Sequence, residues 1–233
     1  MKNASKHATT LKSLSRRLCR QHKPGERPEL DPFRALVLGV LREDCDDGRA
    51  ERAMASLDAE FVDVNELRVA TELELMSLIG EDYPKVVDRS LRLRDLLMSL
   101  FDSEGRLSIT RLAAMNKKEQ RTALHQLPTM TPFVEGHVAL LGFGQAAVPV
   151  DEVMRSFLES EGVLEPGGAV DEAQRFLESH LRSDECWPFF MSCRAEACRS
   201  RGRGGASRKS AGAKRVAKAT SRTRVKRAKK QSV

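Results

Sequence analysis

The stretch Leu127-Pro128-Thr129-Met130-Thr131-Pro132-Phe133, continued by Gly142-Phe143-Gly144 and Val148-Pro149-Val150-Asp151, decides how this chain is read. Leu127-Pro128 ends a helical pattern over Lys117–Leu124 and turns the chain into a second, apolar helix over Pro132–Leu141. Gly142 and Gly144 stop that helix. Asp151 then stands directly before a third helical pattern that begins at Glu152, where a carboxylate accepts hydrogen bonds from first-turn amides. Two helices joined by a short turn, then an aspartate at a helix start, form the unit around which the remainder is arranged.

Outward from this unit the apolar period stays helical. Phe33, Leu36, Val37, Val40 and Leu41 recur at spacings of three and four and predict one buried helix. Val86, Val87, Ser90, Leu93, Leu97, Leu100 and Phe101 predict a longer one, beginning just after Tyr83-Pro84. Arg49–Leu57, Asn65–Ala70, Glu72–Ile79, Glu152–Gly162 and Val170–Leu181 complete the expected set, with Gly80, Gly105 and Pro166-Gly167-Gly168 as breakers. No stretch alternates like a strand, and no internal repeat is visible. The fold class is all-α.

Hydrophobic residues make up 40% of the 233, enough for one large domain or two small lobes. No run of about 18 apolar residues occurs, so no membrane span is expected. The N-terminus lacks an apolar core of signal-peptide length; its basic, Ser/Thr-rich character leaves an organelle transit peptide open. Five cysteines, an odd number without a short secreted frame, fit reduced thiols and an intracellular setting, either cytoplasm and nucleoid or nucleus.

Charge is distributed unevenly. Residues 199–233 hold 14 Lys/Arg and no acid, residues 1–27 hold 8 basic residues against Glu26, and the body between them has 18 basic against 32 acidic residues, a formal −14. The expected organisation is a basic N-terminal arm (1–27), a helical domain (28–198) and a disordered Lys/Arg-rich tail (199–233). The tail has no aromatic and few apolar residues, so burial cannot offset its ordering entropy. The arm is expected to resemble it, although Leu11, Leu14 and Leu18 could line one face of a short helix.

The order of segments resembles the helix-hairpin-helix, Gly/Pro–Asp superfamily of DNA glycosylases, with endonuclease III closest in layout. The similarity runs over roughly residues 31–198, from Asp31-Pro32-Phe33 opening a buried helix, through the Leu127-Pro128 turn, to Val148-Pro149-Val150-Asp151 and Leu164-Glu165-Pro166-Gly167. It implies two helical lobes and a DNA-binding protein related to base-excision repair. Such enzymes evert a base and break its glycosidic bond, and a carboxylate stabilises the positive charge that develops on the sugar. The resemblance places that carboxylate at Asp151; a helix cap is the other role open to it, and the two are compatible.

Three departures follow from the same resemblance. Family members that also cleave the strand use a lysine to form a Schiff base. Phe133 holds that position, so lyase activity is expected to be absent. The hairpin glycines are replaced by Thr129 and Thr131, which as β-branched residues resist positive φ, and Pro132 removes an amide donor. Thr129, Met130 and Thr131 are therefore candidates for phosphate contact through remaining amides and hydroxyls, or else form a plain turn between packed helices. The loop Arg42-Glu43-Asp44-Cys45-Asp46-Asp47-Gly48, where relatives carry a residue that wedges into the duplex, is acidic and should repel phosphates. A cation bridging it is a further reading, but the spacing is not that of a calcium loop.

Cys186, Cys193 and Cys198 do not supply the four thiolates of an endonuclease III-like cluster, so no iron–sulfur cofactor is expected. Along a helix Cys186 and Cys193 share a face and Cys198 turns away, which makes zinc a poor fit. Buried thiols beside Trp187, Phe189 and Phe190 are the simpler reading. His125, His137 and His180 lie singly on predicted helices, as surface or hydrogen-bonded histidines.

Three functions are consistent with this: a monofunctional glycosylase acting through Asp151, a non-catalytic DNA-associated protein, and an acidic module for a basic protein partner. DNA is the expected partner of a monomeric chain, held mainly through the tail. Arg201, Arg203, Lys214, Arg215, Arg222, Arg224, Lys226, Arg227, Lys229 and Lys230 are the candidate phosphate contacts there.

Overall fold

In the computed structural model Asp31 turns its carboxylate onto the amides of Phe33 (2.9 Å) and Arg34 (3.2 Å) and so starts helix α2, Pro32–Arg42, with Pro32 in the first turn. The structure describes residues 4–61, 63–105 and 109–201. All regular elements among them are helical. After α1 (Ala4–His22) and α2 come α3 (Asp47–Glu60), α4 (Val64–Val69), α5 (Glu72–Ile79) and α6 (Val86–Glu104). A short 3-10 turn (Thr110–Ala114) then leads to α7 (Lys117–His125), α8 (Pro132–Leu141), α9 (Glu152–Ser160) and α10 (Val170–His180). The chain is helical again over 183–201, here α11.

The helices form two lobes. In one, α2 packs on α3, α6 and α8, while α3, α4 and α5 close around α6 and α7 folds back on α8. The other gathers the two ends of the chain: α1, α9, α10 and α11. Helix α2 is the apolar spine of the first lobe, with Leu36, Val40 and Leu41 fully buried, as the three-and-four spacing predicts. Its partner α8 comes close enough that a Cβ on Gly142 would stand 2.8 Å from the Pro32 Cα, so the glycine is required by contact. The Leu30 amide donating to the Leu141 carbonyl (3.1 Å) ties the same ends together.

Two expectations change. Residues 4–22 are not an unstructured arm: Leu11 and Leu18 are fully buried and Leu14 nearly so, and they join the core of the second lobe. The apolar stripe therefore wins over the surrounding charge, because it finds a ready partner in the C-terminal helices. Arg17 pairs with Glu161, Gln21 and His22 donate to Glu196 (2.9 and 3.0 Å), and the Trp187 indole donates to the Gly25 carbonyl (2.9 Å), holding the whole N-terminal segment down. The helix set also does not end near Leu181. Helix α11 continues the fold through Pro188, which falls early in the helix.

Candidate functional site

The site is built from four pieces that meet at the junction of the lobes: the loop after α2, the start of α8, the start of α9, and the middle of α11. Asp151 N-caps α9 and accepts from the Met154 amide at 2.8 Å with one oxygen. Its other oxygen accepts from the Asp44 amide (3.1 Å) and from the Arg194 guanidinium (2.9 Å). Only 3% of Asp151 is exposed. A carboxylate with this many donors and no solvent has no free edge for a substrate.

Arg194 is the residue around which the junction closes. It is 1% exposed. Its other nitrogens donate to Asp47 (3.1 Å) and to the carbonyls of Arg42 (3.0 Å) and Cys45 (2.6 Å). The guanidinium plane also lies over the rings of Phe133 (5.3 Å) and Phe190 (5.6 Å). Burial alone would disfavour the charge, but Asp47 and Asp151 outweigh it and hold the guanidinium above its ordinary value. Arg194 is a permanent cation in a dry site, locked to Asp151.

Next to it lies a second layer. His137 of α8 is fully buried, with Nδ1 on the Ala35 carbonyl (2.9 Å) and Nε2 facing Arg42 (3.3 Å). This places the proton on Nδ1 and makes Nε2 the acceptor. Burial first, and the Arg42 charge second, push its pKa well below the usual imidazole value, so the ring is neutral. A group depressed in the folded state binds its proton only after unfolding, so its contribution to stability is intact above about pH 6.5 and declines as pH falls from there toward the folded pKa. We expect chemical denaturation between pH 6.5 and 5 to show a slope steeper in the native chain than in His137→Gln, by up to about 1.4 kcal/mol per pH unit. Equal slopes would mean that His137 titrates normally.

The acidic loop is not a bare wedge. Glu43 pairs with Arg92 (2.8 Å), Asp44 with Lys85 (3.2 Å), Asp46 caps α3 through the Arg49 amide (2.9 Å), and Asp47 pairs with Arg194 (3.1 Å) and Arg42 (3.4 Å). All four carboxylates are committed to the protein, and no cluster of possible metal ligands occurs among the described residues. What the sequence presents as a repulsive patch is an internal ion-pair hub.

Sequence reasoning missed Arg194, although a signal existed. Phe190, Cys193, Arg194 and Ala197 are spaced at i, i+3, i+4 and i+7, so the arginine falls on the buried stripe of α11. A cation on an apolar face, opposite a surplus of acid, calls for a buried partner.

The hairpin between α7 and α8 keeps its geometry without its glycines. Thr129 adopts φ +56°, a left-handed conformation that costs an L-residue about 1–2 kcal/mol. The resistance expected of a β-branched residue is therefore overcome, because α7 and α8 are packed at both ends of the turn. Thr131 N-caps α8 by accepting from the Val134 amide (3.2 Å), so its hydroxyl is used within the protein. Thr129 is exposed, Met130 and Thr131 are half-buried, and Arg92 reaches the Thr129 carbonyl (3.5 Å).

The overall arrangement of helices is shared with solved structures. An endonuclease III–DNA covalent intermediate superposes with a TM-score of 0.63 at 16% identity, over 83% of this chain and 85% of that one. The fold is that of the helix-hairpin-helix DNA glycosylases. Clostridium acetobutylicum 8-oxoguanine glycosylase/lyase with double-stranded DNA gives 0.63 at 14% identity, over 83% of this chain and 70% of that one. H. pylori 3-methyladenine DNA glycosylase (MagIII) gives 0.60 at 15% identity, over 85% and 98%. No protein-family model and no curated protein sequence matches the chain.

Within the glycosylase fold, Phe133 is fully buried, beneath Arg194. Of the C-terminal cysteines, Cys186 and Cys193 are fully buried, and Cys198 is half-buried beside the Cys45 carbonyl. Burial pushes the Cys193 thiol well above its ordinary value and those of Cys186 and Cys198 up to about 11. A cavity of about 570 Å3 does open at the junction, between Asp44, Lys85, Glu152, Phe157 and Arg201, but Asp151 does not line it. Arg201 donates there to the Asp44 carbonyl (3.2 Å). Arg203, Lys214, Arg215, Arg222, Arg224, Lys226, Arg227, Lys229 and Lys230 lie outside the described residues. No helix among the described residues is long and apolar enough to cross a membrane.

Proposed function

We propose that this chain is a DNA-binding protein built on the glycosylase fold that does not excise bases, and that its basic C-terminal segment supplies most of its attraction to the phosphate backbone. The ion pair between Arg194 and Asp151 carries this reading. A glycosylase aspartate acts by facing the cationic sugar of the transition state. Here the charge of Asp151 is already answered by a guanidinium, and both carboxylate oxygens are engaged. The route to a Schiff base is closed as well, since Phe133 has no nucleophile. DNA as the partner rests on the fold, whose solved relatives include DNA complexes, and on the 14 positive charges after residue 198.

Duplexes holding uracil, an alkylated purine or an oxidised base are expected to release no base with the full chain. The same duplexes should bind with an affinity that falls steeply with salt. Removing residues 199–233 should weaken binding at least tenfold at about 0.1 M salt, since each phosphate contact adds about 0.9 to the slope of log K against log salt. Base release that disappears in Asp151→Asn would overturn the non-catalytic reading. Affinity indifferent to the truncation would overturn the role of the C-terminal segment.

A further inference from the structure

We propose that the exposed face of α1 is a second phosphate-binding surface, in which Lys12, Arg16 and Arg20 lie along a DNA backbone. This rests on the DNA-binding reading above and adds to it a surface on the folded body. The three side chains are exposed, and none has a hydrogen-bond or ion-pair partner among the described residues. Other arginines at the surface are engaged, Arg34 with Asp58 (2.6 Å), Arg121 with Glu135 (3.0 Å) and Arg175 with Asp171 (2.6 Å), while the exposed Arg52 stands singly rather than in a row. On a body with a surplus of acid, a row of uncompensated cations is where a polyanion gains most from counterion release.

The row is also rigid and evenly spaced. Positions 12, 16 and 20 follow one another at four residues, about 6 Å along the axis each, on a single helical face. Ser13 stands beside them as a further exposed hydroxyl. The opposite face is locked into the core through Leu11, Leu14 and Leu18, and the ends are held by His7 on the Gly162 carbonyl (3.1 Å) and Gln21 on Glu196 (2.9 Å). Binding therefore costs little backbone ordering. No Asp or Glu interrupts Ala4–His22.

The same facts choose the partner. A membrane-surface helix needs its apolar face free to enter lipid, and that face is buried here. The helix has no aromatic residue on which a base could stack, so contact with the sugar-phosphate backbone is expected, without sequence preference. The row ends beside α11: Glu196, held by Gln21 and His22, also pairs with Arg199 (2.7 Å). In the sequence the remaining basic residues follow directly after α11.

The test is carried out on the full chain with an undamaged duplex. The variant Lys12→Gln/Arg16→Gln/Arg20→Gln should bind at least about tenfold more weakly at 0.1 M salt and lower the salt slope by about 2 to 3. Lys117→Gln/Lys118→Gln, on α7, should leave both unchanged. Circular dichroism and thermal melting matched to the native chain show that the triple variant is folded. A folded triple variant with native affinity and slope, while the full chain binds DNA, would sink this proposal and leave the proposed function standing. Failure of the full chain to bind any duplex would sink both, and selective binding to anionic vesicles over duplex would replace the partner.

Discussion

Arg194→Met is expected to cost about 3–5 kcal/mol of stability, the range for breaking a buried ion pair by removing one partner. For a domain of this size that corresponds to a fall in melting temperature of roughly 10 °C or more. The substitution keeps most of the side-chain volume, so the loss is electrostatic. It leaves Asp151 charged in a site with 1% side-chain exposure, removes a partner from Asp47, and strips the donors from the Arg42 and Cys45 carbonyls. Asp151→Asn should cost less, about 1–3 kcal/mol, because Arg194 keeps Asp47 and both carbonyls. The two changes should not add: with Asp151 neutral, losing Arg194 strands one charge fewer, and a coupling of at least about 1 kcal/mol is expected from the double-mutant cycle. Denaturant melts of the four proteins decide it. Additive effects, or a cost below 1 kcal/mol for Arg194→Met, would show that the pair does not hold the junction.

Why an arginine here matters becomes clear from what each lobe lacks alone. The loop after α2 presents Asp47 and two carbonyls inward, α9 presents Asp151, and α8 presents Phe133 and the neutral His137. None of these groups satisfies another, and one guanidinium satisfies all but the histidine. In a glycosylase this space must stay open to an everted nucleotide. Here the junction is filled by a side chain that cannot lose its proton, and on the proposed non-catalytic reading that filling denies an everted nucleotide its place.

Much of this was legible in the sequence, and the boundary is informative. The helical set from α2 to α10, the hairpin turn and the cap at Asp151 all follow from short-range spacing, which depends on neighbours a few residues apart. The fold followed from their order. Less legible was everything that depends on a distant partner. The Leu11, Leu14 and Leu18 stripe is visible as a pattern, but whether it buries depends on α9 and α11, more than a hundred residues on. The acidic loop reads as repulsive until Lys85 and Arg92 arrive from the start and body of α6 and Arg194 from α11. Thr129 shows the reverse: local preference was read correctly and tertiary packing overrode it.

Phe133→Lys is the second large effect. Placing a lysine where the resemblance expects the nucleophile should not give strand cleavage, and borohydride should trap no covalent DNA adduct. A lysine ammonium at this position would lie against the Arg194 guanidinium, which is 5.3 Å from the Phe133 ring centroid, in a fully buried site. The uncharged amine is favoured there by desolvation and by like charge, which would suit a nucleophile. It has no route to a sugar carbon, however, because Arg194 and Phe190 fill the space above it. The folded state should also lose about 3–5 kcal/mol, combining the lost aromatic packing with a buried amine that lacks a partner. Adding Arg194→Ala to Phe133→Lys would remove the obstruction and give Asp151 back an unanswered charge. If Phe133→Lys alone yielded a trapped adduct, the junction would have to open to DNA in solution, and the locked pair of Arg194 and Asp151 could not be the barrier that the non-catalytic reading requires. If only the double variant did so, the arginine would be identified as the barrier.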